Sequence, residues 1–339
     1  MISTSKVIKA VGELSHAEAA GERWIVPLGD EHAQGQNHFI LFLKPEVLAI
    51  DDGVDVDAIV EVVQSALDEH AVRTGAVRVL NGQYLGRYNI IEEHYGVINR
   101  ASRLGKAALS EATRNKLMAE CPNADRILGG HEFLKEYPDV SAFALNIIAD
   151  TLKTQKIASG KYYGVLDVAG ERVVVLNPFH PQQVLHYTTP GRTIVVLECA
   201  TDTDWKVLRQ DMTGATDPSK AVAGSVRKTL LERKVELGLR DVGTATNGVH
   251  CSAGPLEAMA EYGRFFSDHA KKKLIKLSDT PFGERLQRRG IGKKEIAALA
   301  TNPFLGRETG GNYAFNLTEE KNSGTAADLL AEMVSAPTS

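Results

Sequence analysis

"HFILFLKP", His38–Pro45, decides how the chain is read: a short apolar run closed by a proline, the pattern of a buried strand. Downstream, "DVDAIVEVVQSALDEH" (55–70) sets Ile59, Val62, Val63 and Leu67 on one helical stripe. "GAVRVLNG" (75–82) reads as a second strand, and the stretch around Ile90 and Ile91 as a short helix. Residues 101–160 are helical in composition, and "KYYGVLDVAGERVVVLNPF" reads as a hairpin turning at Ala169-Gly170. "HPQQVLHYTTPG" follows as a short helix, "RTIVVLECA" as a buried strand, and "DTDWKVLRQ" as a helix started by aspartate caps. From 211 to 249 no strong period survives, which predicts an extended loop with one short helix near 219–236. "PLEAMAEYGRFF" (255–266) is helical again, with Pro255 suited to its first turn. This order of elements predicts an α+β fold on a βαββαβ plan, a mainly antiparallel sheet with its helices on one face.

Composition narrows the function classes. The chain has 339 residues, 43% hydrophobic and 24% charged, with a net charge of −4. That balance is ordinary for a globular protein and argues against binding nucleic acid through bulk positive charge. Three cysteines without a CxxC pair predict a reducing compartment and no disulfide framework. No apolar run approaches the roughly 20 residues of a membrane span, and the N-terminus lacks a secretory apolar core, so a cytoplasmic protein is expected. Every Gly-Lys pair (105, 160 and 292) lacks the following Ser or Thr of a phosphate-binding P-loop, and "HEFLK" at 131 lacks the second histidine of a zinc-protease motif.

Five separated fragments, taken in order, resemble the nucleoside diphosphate kinase family. "FILFLKPE" resembles its first strand and the Lys-Pro pair that ends it, here Lys44 and Pro45. "EEHYGVINR" resembles the helix that supplies a phosphate-contacting tyrosine, here Tyr95. "NPFHPQQVLHYTTPGRTIVVLE" resembles the helix and strand that carry the base-stacking phenylalanine, here Phe179. "TGATDPSKAVAGSVR" resembles the Gly-x-Thr-Asn-Pro and Gly-Thr-Ile-Arg pattern, which assigns phosphate contacts to Thr216 and Arg227. "NGVHCSAGPLEAMAEYGRFF" resembles Asn-x-x-His-Gly-Ser and the helix after it. It aligns Asn247 with a ribose contact, His250 with the phosphorylated histidine, Ser252 with its neighbour and Glu261 with the carboxylate that orients the imidazole. Arg209 matches the family's remaining phosphate-binding arginine, at a spacing one residue longer.

The resemblance implies a ferredoxin-like core over 37–100 and 177–268. Around it would lie a leader at 1–36, an inserted, mostly helical segment at 101–176 ending in the hairpin, and an extension at 269–339. It further implies phosphoryl transfer from a nucleoside triphosphate to a nucleoside diphosphate through phospho-His250. Mg²⁺ would arrive with ATP or another triphosphate rather than in a protein cage, and the protein would be a homo-oligomer. The residue types suit that chemistry without the name. A carrier imidazole needs one nitrogen reactive and the other fixed by an acceptor. Cationic Lys44, Arg209 and Arg227 suit the charge that spreads over a transferred phosphoryl group. Two positions depart from the family: Thr246 replaces an arginine, and Cys251 replaces the glycine beside the histidine, where it would crowd the phosphate or offer a thiol for oxidation. Two alternatives stay open: the same chemistry with another acceptor set by the insertion, or a non-catalytic nucleotide-binding assembly module.

Overall fold

The computed structural model describes residues 3–29, 32–152, 154–306 and 311–335. The chain is an α+β protein of two compact units, Met1–Tyr88 with Pro190–Ser339, and Asn89–Thr189. No described helix is long and apolar enough to cross a membrane.

The first unit is built on a five-stranded sheet. Its spatial order is Glu22–Val26, Arg73–Asn81, Thr193–Thr201, Asn37–Leu43 and Val249–Cys251, and every pairing is antiparallel. Asn37–Leu43 runs between two partners and is covered on both faces, which is why its sequence is nearly continuous apolar rather than alternating. Successive side chains still leave opposite faces. Phe39, Leu41 and Leu43 join Val195, Leu197, Cys199, Val77 and Val79 in the main core, together with helices Thr4–Ser15 and Val56–Glu69. Phe42 faces the other way, against helix Pro255–Phe266, with its ring 5.3 Å from that of Phe265.

Val56–Glu69 forms where the apolar stripe predicts it, started by Asp55, whose side chain accepts the Ala58 N–H at 3.0 Å. Ile59, Val63 and Leu67 are buried, whereas Val62 lies at the edge of the stripe and is partly buried. The 1–36 segment departs from a polar leader. Val7, Ala10, Val11 and Leu14 bury one face of Thr4–Ser15, and Glu22–Val26 adds an edge strand to the sheet. Its polar average conceals an i, i+3, i+4, i+7 stripe. After residue 268, helices Pro281–Gln287, Lys293–Leu299 and Ser323–Ser335 enclose a second core of Phe282, Leu286, Ile296, Leu299 and Leu330 with Leu256 and Met259. The extension is therefore part of the same unit as the sheet.

The second unit, taken by itself, holds a mixed four-stranded sheet in the order Arg126–Gly129, Glu171–Leu176, Lys161–Val168, Gln155–Ala158. Its first pair is parallel and the others antiparallel. The expected hairpin is present, and Ala169 and Gly170 both take positive φ (53° and 83°), the geometry of a two-residue turn that matches strand twist. The outer strands depart from the helical expectation for 101–160, because four residues are too few to show a period. "EEHYGVINR" and Asn177–Thr189 fall in this unit, so Tyr95 and Phe179 belong to it.

The end of helix Pro255–Phe266 is held by Arg78, which is fully buried. It donates to Glu22 Oε2 (2.6 Å), to the carbonyls of Phe265 (2.6 Å) and Ser267 (2.9 Å) and to the Tyr84 hydroxyl (2.9 Å), beneath the Trp24 ring. A cation is favourable at a helix C-terminus, and each guanidinium nitrogen here finds an acceptor. Arg78→Ala strands a carboxylate and two carbonyls. Chemical denaturation followed by Trp24 and Trp205 fluorescence is expected to show a loss of about 3–5 kcal/mol.

Candidate functional site

His250 lies on the three-residue edge strand Val249–Cys251, paired with Phe42 in register and stacked on its ring at 4.6 Å and 19°. The strand is set by a tight turn at Gly248, whose φ of +80° suits glycine; a Cβ there would come within 2.3 Å of Leu230. Gly248 N–H donates to Glu46 (2.9 Å), and Lys44 N–H donates to the Gly248 carbonyl (2.9 Å). The Lys44-Pro45-Glu46 strand end thus clasps the turn before the histidine.

After Ser252 the chain enters helix Pro255–Phe266, and two turns in, Glu261 returns beneath the imidazole. His250 Nε2 lies 2.7 Å from Glu261 Oε1, eleven residues on. The Ser252 hydroxyl donates to the other carboxylate oxygen at 2.5 Å and accepts the Ile40 N–H at 2.9 Å. Burial, and then Arg209, Lys44, Arg227 and Arg264, hold the His250 pKa well below that of free imidazole, so the ring is neutral at pH 7. A neutral ring whose Nε2–H donates to Glu261 carries its lone pair on Nδ1. Burial also pushes the Glu261 carboxyl up to about 7, against the Ser252 bond and the charges of Arg264 and Arg209. Glu257, one turn earlier, is likewise raised to about 7, by burial and then by Glu261.

Around this pair the chain gathers cations. Lys44 is buried, donates to Asn247 Oδ1 at 2.7 Å, and is pushed down to about 8 by burial, with Arg227 adding to the effect and Glu46 opposing it. Asn247 in turn donates to the carbonyls of Thr216 (3.0 Å) and Thr244 (3.1 Å). Arg227, on helix Val226–Glu232, donates to Gly214 O and Val249 O, both at 2.9 Å. Arg209 donates to Cys251 O at 2.8 Å from the π-helical turn Leu208–Thr213, an irregularity often found at functional sites. The two guanidiniums thereby grip the carbonyls on either side of His250. Arg209, Arg227, Thr216, Gly214, Lys220 and Glu320 line a cavity of about 370 Å³.

The fold therefore brings together His250, Glu261, Ser252, Lys44, Asn247, Arg209, Arg227 and Thr216, all in the first unit. Tyr95 and Phe179 are in the second. The Tyr95 hydroxyl is 3.2 Å from that of Tyr187, and the Phe179 ring meets Tyr162 edge to face at 5.8 Å. Cys251 neither crowds the site nor offers a reactive thiol. Strand alternation turns its side chain to the opposite face, into the main core, where burial raises its pKa. Thr246 donates to Asp241 (2.8 Å) and ties its own loop. Sequence reasoning missed Lys220, Glu257 and Glu320. Lys220 lies inside one of the quoted fragments, whereas nothing local marks Glu320, which stands 110 residues beyond the Gln210 side chain it meets.

At about pH 8, where Glu261 is ionised, ¹⁵N–¹H spectra are expected to show a neutral His250 ring with its proton on Nε2. Glu261→Gln, whose amide can donate as well as accept, is expected to mix the tautomers. A doubly protonated ring at that pH contradicts the assignment.

No family model and no curated protein matches the chain. Among solved structures it is similar to an NDP kinase from Pyrobaculum aerophilum, with 18% identity over 69% of this chain and 97% of that one, at a TM-score of 0.35.

Proposed function

We propose that the first unit is a ferredoxin-like phosphotransferase. In this reading it moves the γ-phosphoryl group of a nucleoside triphosphate to a nucleoside diphosphate through phospho-His250. The reading is carried by one observation: a neutral imidazole whose Nε2 proton is committed to a buried carboxylate and whose flanking carbonyls are gripped by two arginines that line a cavity. The antiparallel strand order supports the ferredoxin-like assignment.

In the first half-reaction the His250 Nδ1 lone pair attacks the γ-phosphorus. The bond from phosphorus to the β–γ bridging oxygen breaks, and the nucleoside diphosphate leaves with that electron pair. The ring becomes cationic, and Glu261, accepting from Nε2–H, offsets the charge without taking the proton. In the second half, a terminal oxygen of the acceptor diphosphate attacks the same phosphorus, the N–P bond breaks, and its electrons return to Nδ1. Arg209, Arg227 and Lys44 stabilise charge on the phosphoryl oxygens, with Thr216 in the cavity lining. Beside the lining cations, the Thr216 hydroxyl and the Glu320 carboxylate are hard oxygen donors that fit a hard cation carried by phosphate oxygens. Mg²⁺ bound there would neutralise charge on the leaving diphosphate. The reading does not depend on Tyr95 or Phe179.

Incubation with γ-labelled ATP is expected to give acid-labile, base-stable label that a panel of nucleoside diphosphates removes. His250→Gln should abolish it and Cys251→Gly should retain it. Absence of label on the wild type overturns the proposal, and label that survives every diphosphate chase points to a different acceptor. Arg227→Met is expected to slow labelling about 100-fold.

The pH profile gives an independent check. Glu261 accepts from both Ser252 and His250, a role that requires the ionised form. The labelling rate should therefore fall as pH drops through about 7. Glu257→Gln removes a neighbouring negative charge, makes ionisation of Glu261 easier, and should move that midpoint downward.

A further inference from the structure

Glu320 is the one acidic side chain among the described residues lining the arginine cavity, and it comes from the C-terminal extension. Its placement is built rather than incidental. The Glu320 N–H donates to Ala253 O (2.8 Å), three residues after His250, and Gln210 on the π turn donates to the Glu320 carboxylate at 3.1 Å. Its φ of 53° is a left-handed conformation that costs a non-glycine residue energy and persists only where surrounding contacts enforce it. The neighbours supply that enforcement. A Cβ at Gly254 would sit 2.4 Å from Thr318 O, so the extension backbone lies directly against the entry to helix Pro255–Phe266. The Asn322 side-chain carbonyl accepts from Trp205 N–H and from Asn37 Nδ2, both at 2.9 Å, which ties the other flank to the sheet and to the start of the helical segment that leads to Arg209.

A carboxylate lining the same cavity as Arg209, Arg227 and Lys220 weakens the pocket for a bare polyanion, since like charges repel most where solvent is partly excluded. It has the opposite effect on a polyphosphate that carries a divalent cation, because the cation meets a hard oxygen acceptor directly or through its water. We infer that Glu320 is a specificity-determining residue that makes this pocket select the metal-complexed form of a nucleoside polyphosphate over the metal-free form. The inference rests on the reading of the cavity as a phosphate site.

The test is equilibrium binding of ADP to the full chain, by calorimetry, once with saturating Mg²⁺ and once with EDTA. ADP has no γ-phosphoryl group to transfer, so no turnover intrudes. The wild type is expected to bind the Mg²⁺ complex more tightly. Glu320→Gln can still accept from Gln210 through its amide oxygen, and it should lower the ratio of metal-free to metal-complexed Kd about tenfold, mainly by tightening metal-free ADP. Glu320→Lys should lower it further, whereas Glu320→Asp and the exposed neighbour Glu319→Gln should preserve it. A ratio in Glu320→Gln equal to that of the wild type, including an equal shift in both affinities, overturns the role of Glu320 while leaving the phosphate site standing. Wild-type protein that binds neither form overturns the phosphate site and this inference together.

Discussion

The register of three residues governs this molecule. Val249–Cys251 pairs with Asn37–Leu43 so that His250 lies opposite Phe42, and Cys251 opposite Leu41. Side chains alternate, so a slip of one residue would exchange the two faces. The imidazole would then enter the apolar core among Leu41, Leu197 and their neighbours, and the thiol would face Glu261. Both outcomes leave a buried polar group without its partner, at a cost of roughly 2 kcal/mol or more. The register is therefore fixed from both sides of the sheet. The same constraint gives the strand its chemistry, because the face that accepts the histidine is the one covered by the helix bearing Glu261.

Electrostatics follow from where the cations find their hydrogen bonds. Arg209 and Arg227 are anchored to the main-chain carbonyls of Cys251, Val249 and Gly214, and Lys44 to an amide oxygen of Asn247. These acceptors orient the donors, and the three cations together leave a positive field around the ring. That field, added to burial, keeps His250 neutral. Buried Glu261 and partly exposed Glu257 lie a turn apart on one helix, and desolvation raises both carboxyls to about 7. In the proposed reading such an arrangement favours an incoming anion and a neutral nucleophile together, a combination that isolated side chains in water do not provide.

Much of the first unit is legible in the sequence because its signals are local. The apolar run at 38–43 and the stripe through Ile59, Val63 and Leu67 are short-range patterns, and both form the elements they predict. Thr4–Ser15 escapes the reading although its stripe is equally local, because the surrounding segment is polar on average and hides the period. The strands Arg126–Gly129 and Gln155–Ala158 escape it for a different reason. They are too short to carry a period and owe their form to pairing with Glu171–Leu176 and Lys161–Val168. In the extension, a core shared with Leu256 and Met259 orders Pro281–Gln287 and Lys293–Leu299.

By itself the sequence determined the separation of His250 from Glu261, since a turn and two helical turns bring residues eleven apart onto one another wherever that helix forms. It also determined that a buried strand would end at Lys44-Pro45. Tertiary structure alone decided which carbonyls Arg209 and Arg227 would grip, which face of the sheet would take Cys251, and that Glu320 would reach the cavity. Most of these contacts join segments tens of residues apart, and no periodicity or local propensity encodes them. They exist because the sheet and the shared core bury the apolar faces, and the polar groups left at their edges must then find hydrogen bonds.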